Sequence, residues 1–457
     1  MANDNSPQKL GTAPVGKLLL EYSIPAIAAM TVVSLYHIID SIFIGHGVGA
    51  LAIAGLAVTF PLMNLVIAFC TLVGVGAATV SSIYMGQKDT QRATAVLHNA
   101  AILLVINSLI VTTVSLIWLD PILRFFGASD ETLPYARDFM QVMMMGNPIA
   151  YLFVGLNNMV RSTGYPRKAM ASSVLSVVVN IVVAPIFIFA FDWGIRGAAW
   201  ATVVSQLVGM LWVVSHFISR RSYIRFSRHC FRLHRRIVAS IFGIGLSPFL
   251  INSCACLVVI IINTSLQKYG GDMAIGAYGI VNRMLMLFVM VVMGLTQGMQ
   301  PIIGYNYGAN RHDRVKQTLK YGIFWGGCIT TVGFLFHELI PRTIVGFFTT
   351  SPELIAVSTN GLRITSAVFA IVGVQIVITQ FFQSIGKSGI AIFLSLSRQL
   401  LFLIPCLLVL PHFLGTDGVW WSMPVADAVA AIITMVVLWI HLRRMARQQH
   451  DVTLKNC

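Results

Sequence analysis

A chain of 457 residues with 57% hydrophobic and only 10% charged residues cannot coat soluble domains, in which roughly a quarter of residues are charged. The formal net charge of +15 would suit nucleic acid, but so few charges spread over so apolar a chain exclude a soluble enzyme or nucleic-acid binder. The solvent is lipid.

The N-terminal MANDNSPQKLGTAPVGK is polar. The apolar run after it, 17–44, is too long for a signal peptide and has no small-residue cleavage site, so it stays as the first span. Eleven further stretches can cross a bilayer as helices of about 20 residues: 50–84, 93–118, 133–157, 166–191, 195–217, 237–268, 275–303, 317–340, 354–384, 388–411 and 418–441. These are continuous apolar runs rather than the alternation of a membrane barrel, so the expected class is all-α. With the N-terminus inside, only five of the 31 Lys and Arg fall on the outer side (Arg124, Arg137, Arg196, Lys268, Arg342) and three fall within spans (Arg283, Arg363, Arg398). The positive-inside rule then predicts a multi-pass protein of the cytoplasmic membrane with both termini in the cytoplasm. The densest basic run, 219–236, carries seven Arg and reads as contact with anionic lipid headgroups, not nucleic acid. The seven Cys show no zinc spacing, and Cys254 and Cys256 point to different helix faces, so no metal site is expected.

The two halves resemble each other. Pro25 matches Pro248; GALAIAGLAV (49–58) matches GDMAIGAYGI (271–280); RSTGYPRKA (161–169) matches QSIGKSGIA (383–391). Residues 81–100 match 302–321, and 194–205 match 415–426, always at an offset of 221–223. This is an internal duplication. Six spans per half bring both halves into the membrane from the same side, so the repeats are parallel. The expected organisation is an N-terminal lobe (1–218), a basic linker (219–236), a C-terminal lobe (237–441) and a cytoplasmic tail (442–457). Two such lobes suit alternating access, and a transporter follows.

Among the 16 Asp and Glu, Asp40 and Asp427 are the two clearly inside spans. An ionised Asp at a span centre costs about 2.5–3.5 kcal/mol, and such residues mark ion or proton pathways. Asp40 lies about 15 residues, roughly 22 Å, beyond Pro25 on the first helix. Tyr36 and His37 sit one turn back on its face, where a Tyr hydroxyl can tune the carboxylate. Pro25 removes a backbone hydrogen bond from this helix and is a candidate hinge. Asp427 reads more as a structural hydrogen-bonding group, and Arg283 and Arg398 as braces of the C lobe or handles for anionic groups. Met63, Asn64, Gln297, Gln300 and Gln380 are candidates for a substrate cavity, each polar member equally able to lock helices together.

YHIIDSIFIGHGVGALAIAGLAVTFPLMN (36–64), RSTGYPRKAM (161–170), NIVVAPIFIF (180–189), GIRGAAWAT (194–202), PIIGYNYGANRHDRVKQ (301–317) and SRQLLFLIPCLLVLP (397–411) resemble the multidrug and toxic compound extrusion (MATE) transporters, particularly their MepA-like branch. The resemblance covers the whole chain. It implies a twelve-helix antiporter of two lobes, not an enzyme, that exports cationic or amphipathic organic compounds in exchange for an inward proton or sodium ion, with a single chain as working unit. It places ion coupling at Asp40, supported by Tyr36, by Asn180 of NIVVAP, by Thr202 of GAAWAT and by Asn157 or Asn158. The family motif carries Asp before the proline of the fifth helix, where this chain has Ala184. Sodium wants several oxygens and enough charge to replace its water, so one acid among neutral groups favours the proton, with sodium coupling the alternative. A flippase for lipid-linked sugars is the more distant rival, with Arg283 and Arg398 as its cationic lining.

Overall fold

The computed structural model describes residues 8–455 except 48–49, 220–221, 227–232 and 349–350. Side chains are described throughout these save at 33–42, 44–47, 50–51, 53–54, 57, 272 and 445–455. In chain order the helices are α1 (Lys9–Thr12), α2 (Val15–Gly47), α3 (Ala50–Gly86), α4 (Thr90–Ile117), α5 (Leu119–Phe125), α6 (Leu133–Ser162), α7 (Pro166–Pro185) and α8 (Gly194–Ile218). There follow α9 (Arg235–Gly308), α10 (His312–Leu339), α11 (Pro341–Gly346), α12 (Pro352–Ser366), α13 (Phe369–Ser384), α14 (Ser388–Leu396), α15 (Ile404–Leu414) and α16 (Thr416–Lys455). Among the described residues there is no strand. A lone helix satisfies all its own backbone groups, which is what a water-free solvent requires.

Eleven stretches are long and apolar enough to cross a membrane, and the bent pair α12 and α13 makes a twelfth. The protein is thus a multi-pass, all-helical membrane protein. Two departures from the expected spans have local causes. The long helix α9 is two spans joined at Gly271, whose φ of 64° lies in the left-handed region that glycine occupies without a Cβ penalty. The tenth span, expected to run unbroken over 354–384, bends by 52° between Ser366 and Phe369. The tail after 441 continues α16 as helix to Lys455.

Each half also carries one π-helical segment in its fifth span, Ile186–Ala190 and Ser397–Leu403. Each abuts a proline, Pro185 before the first and Pro405 after the second. A proline nitrogen cannot donate, so the i→i−4 ladder is interrupted and the chain shifts its bonding by one residue.

By contact the chain forms two compact units, Met1–Cys256 with Gln297–Thr318 and Gln383–Ser388, and Leu257–Thr296 with Leu319–Phe382 and Gly389–Cys457. In the first unit α6 lies against α3, α4 and α8, and α7 lies against α2 and α8. Polar side chains join these helices: Tyr151 Oη donates to the Val66 carbonyl at 2.7 Å and Asn107 Nδ2 to the Phe69 carbonyl at 2.7 Å. Three of the basic residues expected outside are paired with acids, Arg124 with Asp130, Arg137 with Asp120 and Arg196 with Asp138. In the second unit Trp420, Tyr278, Ile262, Leu362 and Leu403 form the core.

The first unit also brings segments of both repeats together along a seam with its own symmetry. A Cβ on Gly86 would overlap the Tyr305 carbonyl, and one on Gly308 would overlap the Ile83 carbonyl. Gly86 and Gly308 are 222 residues apart, and so are Ile83 and Tyr305, so the two contacts exchange under the repeat. Gly76 meets the backbone of Ile241 and Gly245, while its counterpart Gly298 meets Ser23, the counterpart of Gly245. Gly304 would place a Cβ 2.8 Å from the Cβ of Ser82, its own counterpart, so this contact lies on the axis. Such an interface is isologous, as in a two-fold dimer, and the missing Cβ atoms let backbones touch. The N-terminal turn closes over its end: Asn306 Nδ2 donates to the Leu10 carbonyl at 2.9 Å, Arg311 to that of Gly11 and Arg314 to that of Ala13, both at 2.5 Å.

The seam predicts a selective sensitivity to one methyl group. Gly86→Ala and Gly308→Ala should each destabilise the protein by about 1–3 kcal/mol through forced backbone separation. Gly243→Ala, whose Cβ would meet nothing within 4 Å, should be neutral or slightly stabilising. Thermal unfolding in detergent separates the three variants.

Candidate functional site

The helices that carry the expected coupling residues are neighbours. Helix α2 packs against α7, against α8 and against the π-helical segment that follows α7. Asp40 and Tyr36 lie on α2, and their side chains are outside the described residues. Pro25 is buried within α2, which runs through it as one helix.

Asn180 of α7 and Thr202 of α8 face each other in the buried interior. Asn180 Nδ2 donates to Thr202 Oγ1 at 3.3 Å, and that hydroxyl donates to the Ala198 carbonyl at 3.1 Å. The hydroxyl thus uses its proton on the backbone and turns a lone pair toward Asn180. Ala184 lies one turn beyond Asn180 on α7 and is fully buried. Where the family motif has a carboxylate, this lobe presents a methyl group.

The two asparagines at the end of α6 diverge. Asn157 Nδ2 donates to Ser173 Oγ of α7 at 3.0 Å, and its Oδ1 is buried without a hydrogen-bond partner among the described residues. Asn158 lies beside Gly74 of α3. Asn157 is therefore the one that turns to the Asn180 helix, two turns or about 10 Å from Asn180 along it.

The residues expected in a substrate cavity do not form one group. Met63 and Asn64 are half-buried on α3, and Gln380 is half-buried on α13 in the other unit. Gln300 Nε2 donates to Thr79 Oγ1 at 2.7 Å and Gln297 accepts from Arg161, so both link α9 to helices of the first half. Sequence reasoning missed the Arg161–Gln297 bond and the clamp of Asn306, Arg311 and Arg314 on the N-terminal turn. Their partners lie 136 and about 300 residues away, and no local pattern joins them. Arg283 is exposed. Arg398 is bonded to Asp427, so these two span-buried charges neutralise one another.

A duplicated bundle of membrane spans, with isolated polar pairs buried between helices and no cluster of three metal-ligating side chains among the described residues, has the build of a membrane transporter. The MatE family model matches residues 25–186 and again residues 248–408, once in each half. The chain belongs to the MATE family of transporters; it is not an enzyme. It is 28% identical over 428 residues to the multidrug export protein MepA of Staphylococcus aureus (strain N315), covering 94% of each chain. A MATE multidrug transporter, DinF-BH, solved as a complex with a small molecule, is 34% identical, covers 96% of this chain with 98% of its own, and superposes with a TM-score of 0.88. An outward-facing conformation of a multidrug resistance MATE family transporter is 26% identical with a TM-score of 0.90, over 96% and 98% of the two chains. The two-lobed MATE fold is thereby shown.

The Asn180–Thr202 bond is measurable. In a double-mutant cycle of Asn180→Ala and Thr202→Val, unfolding in detergent should give a coupling energy on the order of 0.6 kcal/mol, the usual size of an interhelical side-chain hydrogen bond in a membrane.

Proposed function

We propose that this protein is a multidrug efflux antiporter of the cell membrane, with both termini cytoplasmic, that exports cationic or amphipathic organic compounds in exchange for an inward proton. The observation that carries the choice of ion is the buried neutral pair Asn180–Thr202 with the fully buried Ala184 one turn away. Helix α2, which bears Asp40, lies against both helices of that pair. A site with Asp40 as its acid and neutral oxygens around it is a complete proton site and a poor sodium cage. The names of the relatives, multidrug export protein and multidrug transporter, support the substrate class.

The chemistry follows from one charge. Ionised Asp40 attracts a cationic compound; at about 4 Å and an effective dielectric constant of 20 this is worth about 4 kcal/mol, on the order of a thousandfold in affinity. A proton on Asp40 removes that attraction and releases the compound. Protonation also withdraws the carboxylate from its charge-assisted hydrogen bonds, which biases a bistable helix. Pro25 supplies the weak point in α2.

Proteoliposomes test the coupling. An inward proton gradient in sodium-free buffer should drive export of an organic cation, and Asp40→Asn should abolish it while leaving the yield of folded protein nearly unchanged, since Asn keeps the shape without a charge to bury. Saturable dependence on sodium would reverse the choice of ion, and wild-type export by Asp40→Asn would remove Asp40 from coupling.

The hinge is tested separately. Pro25→Ala restores the missing backbone hydrogen bond, so it should blunt the pH dependence of distances between spin labels on α2 and α7 while leaving substrate binding intact. Normal transport by this variant would leave Pro25 a static bend.

A further inference from the structure

The second half of the chain holds one buried acid, and that acid comes with its own cation. Asp427 of α16 accepts a hydrogen bond from Arg398 Nε at 2.5 Å, with the carboxylate side chain 10% exposed and the guanidinium side chain 36% exposed. Both residues lie inside membrane spans, Ser388–Leu414 and Thr416–Arg444. Arg398 stands on the π-helical segment that packs against α16. Other charged and titratable groups on the helices packed here are engaged elsewhere or lie at helix ends. Arg363 of α12 faces Glu338, Asp417 accepts from Asn360, and His412 packs edge-on against Tyr269. Glu353 is exposed at the start of α12, and His441 packs against Phe382 near the far end of the α16 span. Among the described residues only Arg398 is within ion-pair distance of Asp427.

A carboxylate inside a span can be neutralised in two ways. It can take a proton or cation from outside, or it can keep a fixed counter-ion. The guanidinium does not lose its proton in proteins, so a carboxylate paired with it has no need of an external cation. The repeat shows that the two halves differ in this respect. At an offset of 222 Arg398 corresponds to Ser176, one turn before Asn180, and at the offset of 221 that holds for the last helix Asp427 corresponds to Gln206. Asn180 and Thr202 in turn correspond to Phe402 and Met423, and Asp40 to Ile262 or Asn263. The first half thus has an acid with neutral neighbours, while the second has an acid and a permanent cation on its last two spans.

We propose that Arg398 is a built-in counter-cation for Asp427 that closes the acid of the second half to protons, sodium and cationic substrates, and so confines ion coupling to the first half. Arg398 is then a positioning residue for the coupling stoichiometry. The inference rests on the coupling role of Asp40 proposed above.

The test is the proton-to-substrate ratio, measured in proteoliposomes from the pH gradient that just halts tetraphenylphosphonium flux. Arg398→Met should free Asp427 to exchange, raising the ratio by one proton per substrate. Arg398→Met with Asp427→Leu removes both charges, a replacement that buried ion pairs tolerate, and should return the ratio to the wild-type value. A wild-type ratio in folded Arg398→Met overturns the proposal, as does a changed ratio or lost proton coupling in the double variant. Should Arg398→Met fail to fold, the double variant decides alone: a wild-type ratio supports the proposal and any other overturns it. Substrate flux without protons in the wild type would instead strike the Asp40 reading, which this measurement distinguishes because the wild type carries both charges.

Discussion

Hydrocarbon offers no hydrogen bonds, so every polar group that enters it must bring its partner along. That constraint organises the molecule. It makes each span a helix and sends polar side chains to backbone carbonyls on neighbouring helices, as Tyr151 and Asn107 do. It also accounts for the pairing of the interior charges and amides, Asn180 with Thr202, Gln300 with Thr79 and Arg398 with Asp427. Lipid drives no hydrophobic association between helices, because a neighbouring helix is no more apolar than a lipid tail. Close packing must then supply the affinity, which is why the seam in the first unit is built on glycines.

The seam and the lobes record different histories of one duplication. At the seam, counterparts still meet counterparts: Gly86 with Tyr305 mirrors Gly308 with Ile83, and Ser82 meets Gly304 on the axis. An isologous contact constrains both copies at once, since a side chain added to either breaks the same packing. The polar sites carry no such mutual constraint. Asn180 and Thr202 have become Phe402 and Met423, and the second half has acquired Arg398 and Asp427 instead. A transporter of two similar lobes can thereby load one of them with exchangeable charge and keep the other neutral, an asymmetry that a single moving ion requires.

Much of this was legible in the residue order. Continuous apolar runs give twelve spans because length and hydropathy are local properties, and the break in the tenth span is invisible to them because its 52° bend leaves hydropathy unchanged. The motifs NIVVAP and GAAWAT pointed to Asn180 and Thr202, and these do form a buried pair. For Asn157 and Asn158 the sequence left a choice, because adjacent residues on a helix differ only in facing. The bond to Ser173 made it.

What the sequence determined by itself is the solvent, the helices, the duplication and the family, all of which reside in composition and in patterns repeated along the chain. Tertiary structure decided the partners. Asp427 and Arg398 are 29 residues apart and read separately as a structural acid and a brace; the π-helical shift beside Pro405 and the crossing of two helices put them in contact. Gln297 and Gln300, equal candidates for substrate contact and for locking helices, bond to helices of the other repeat, 136 and 221 residues away. A hydrogen bond is made in three dimensions over about 3 Å, and no spacing along a helix encodes which distant side chain will stand at that distance.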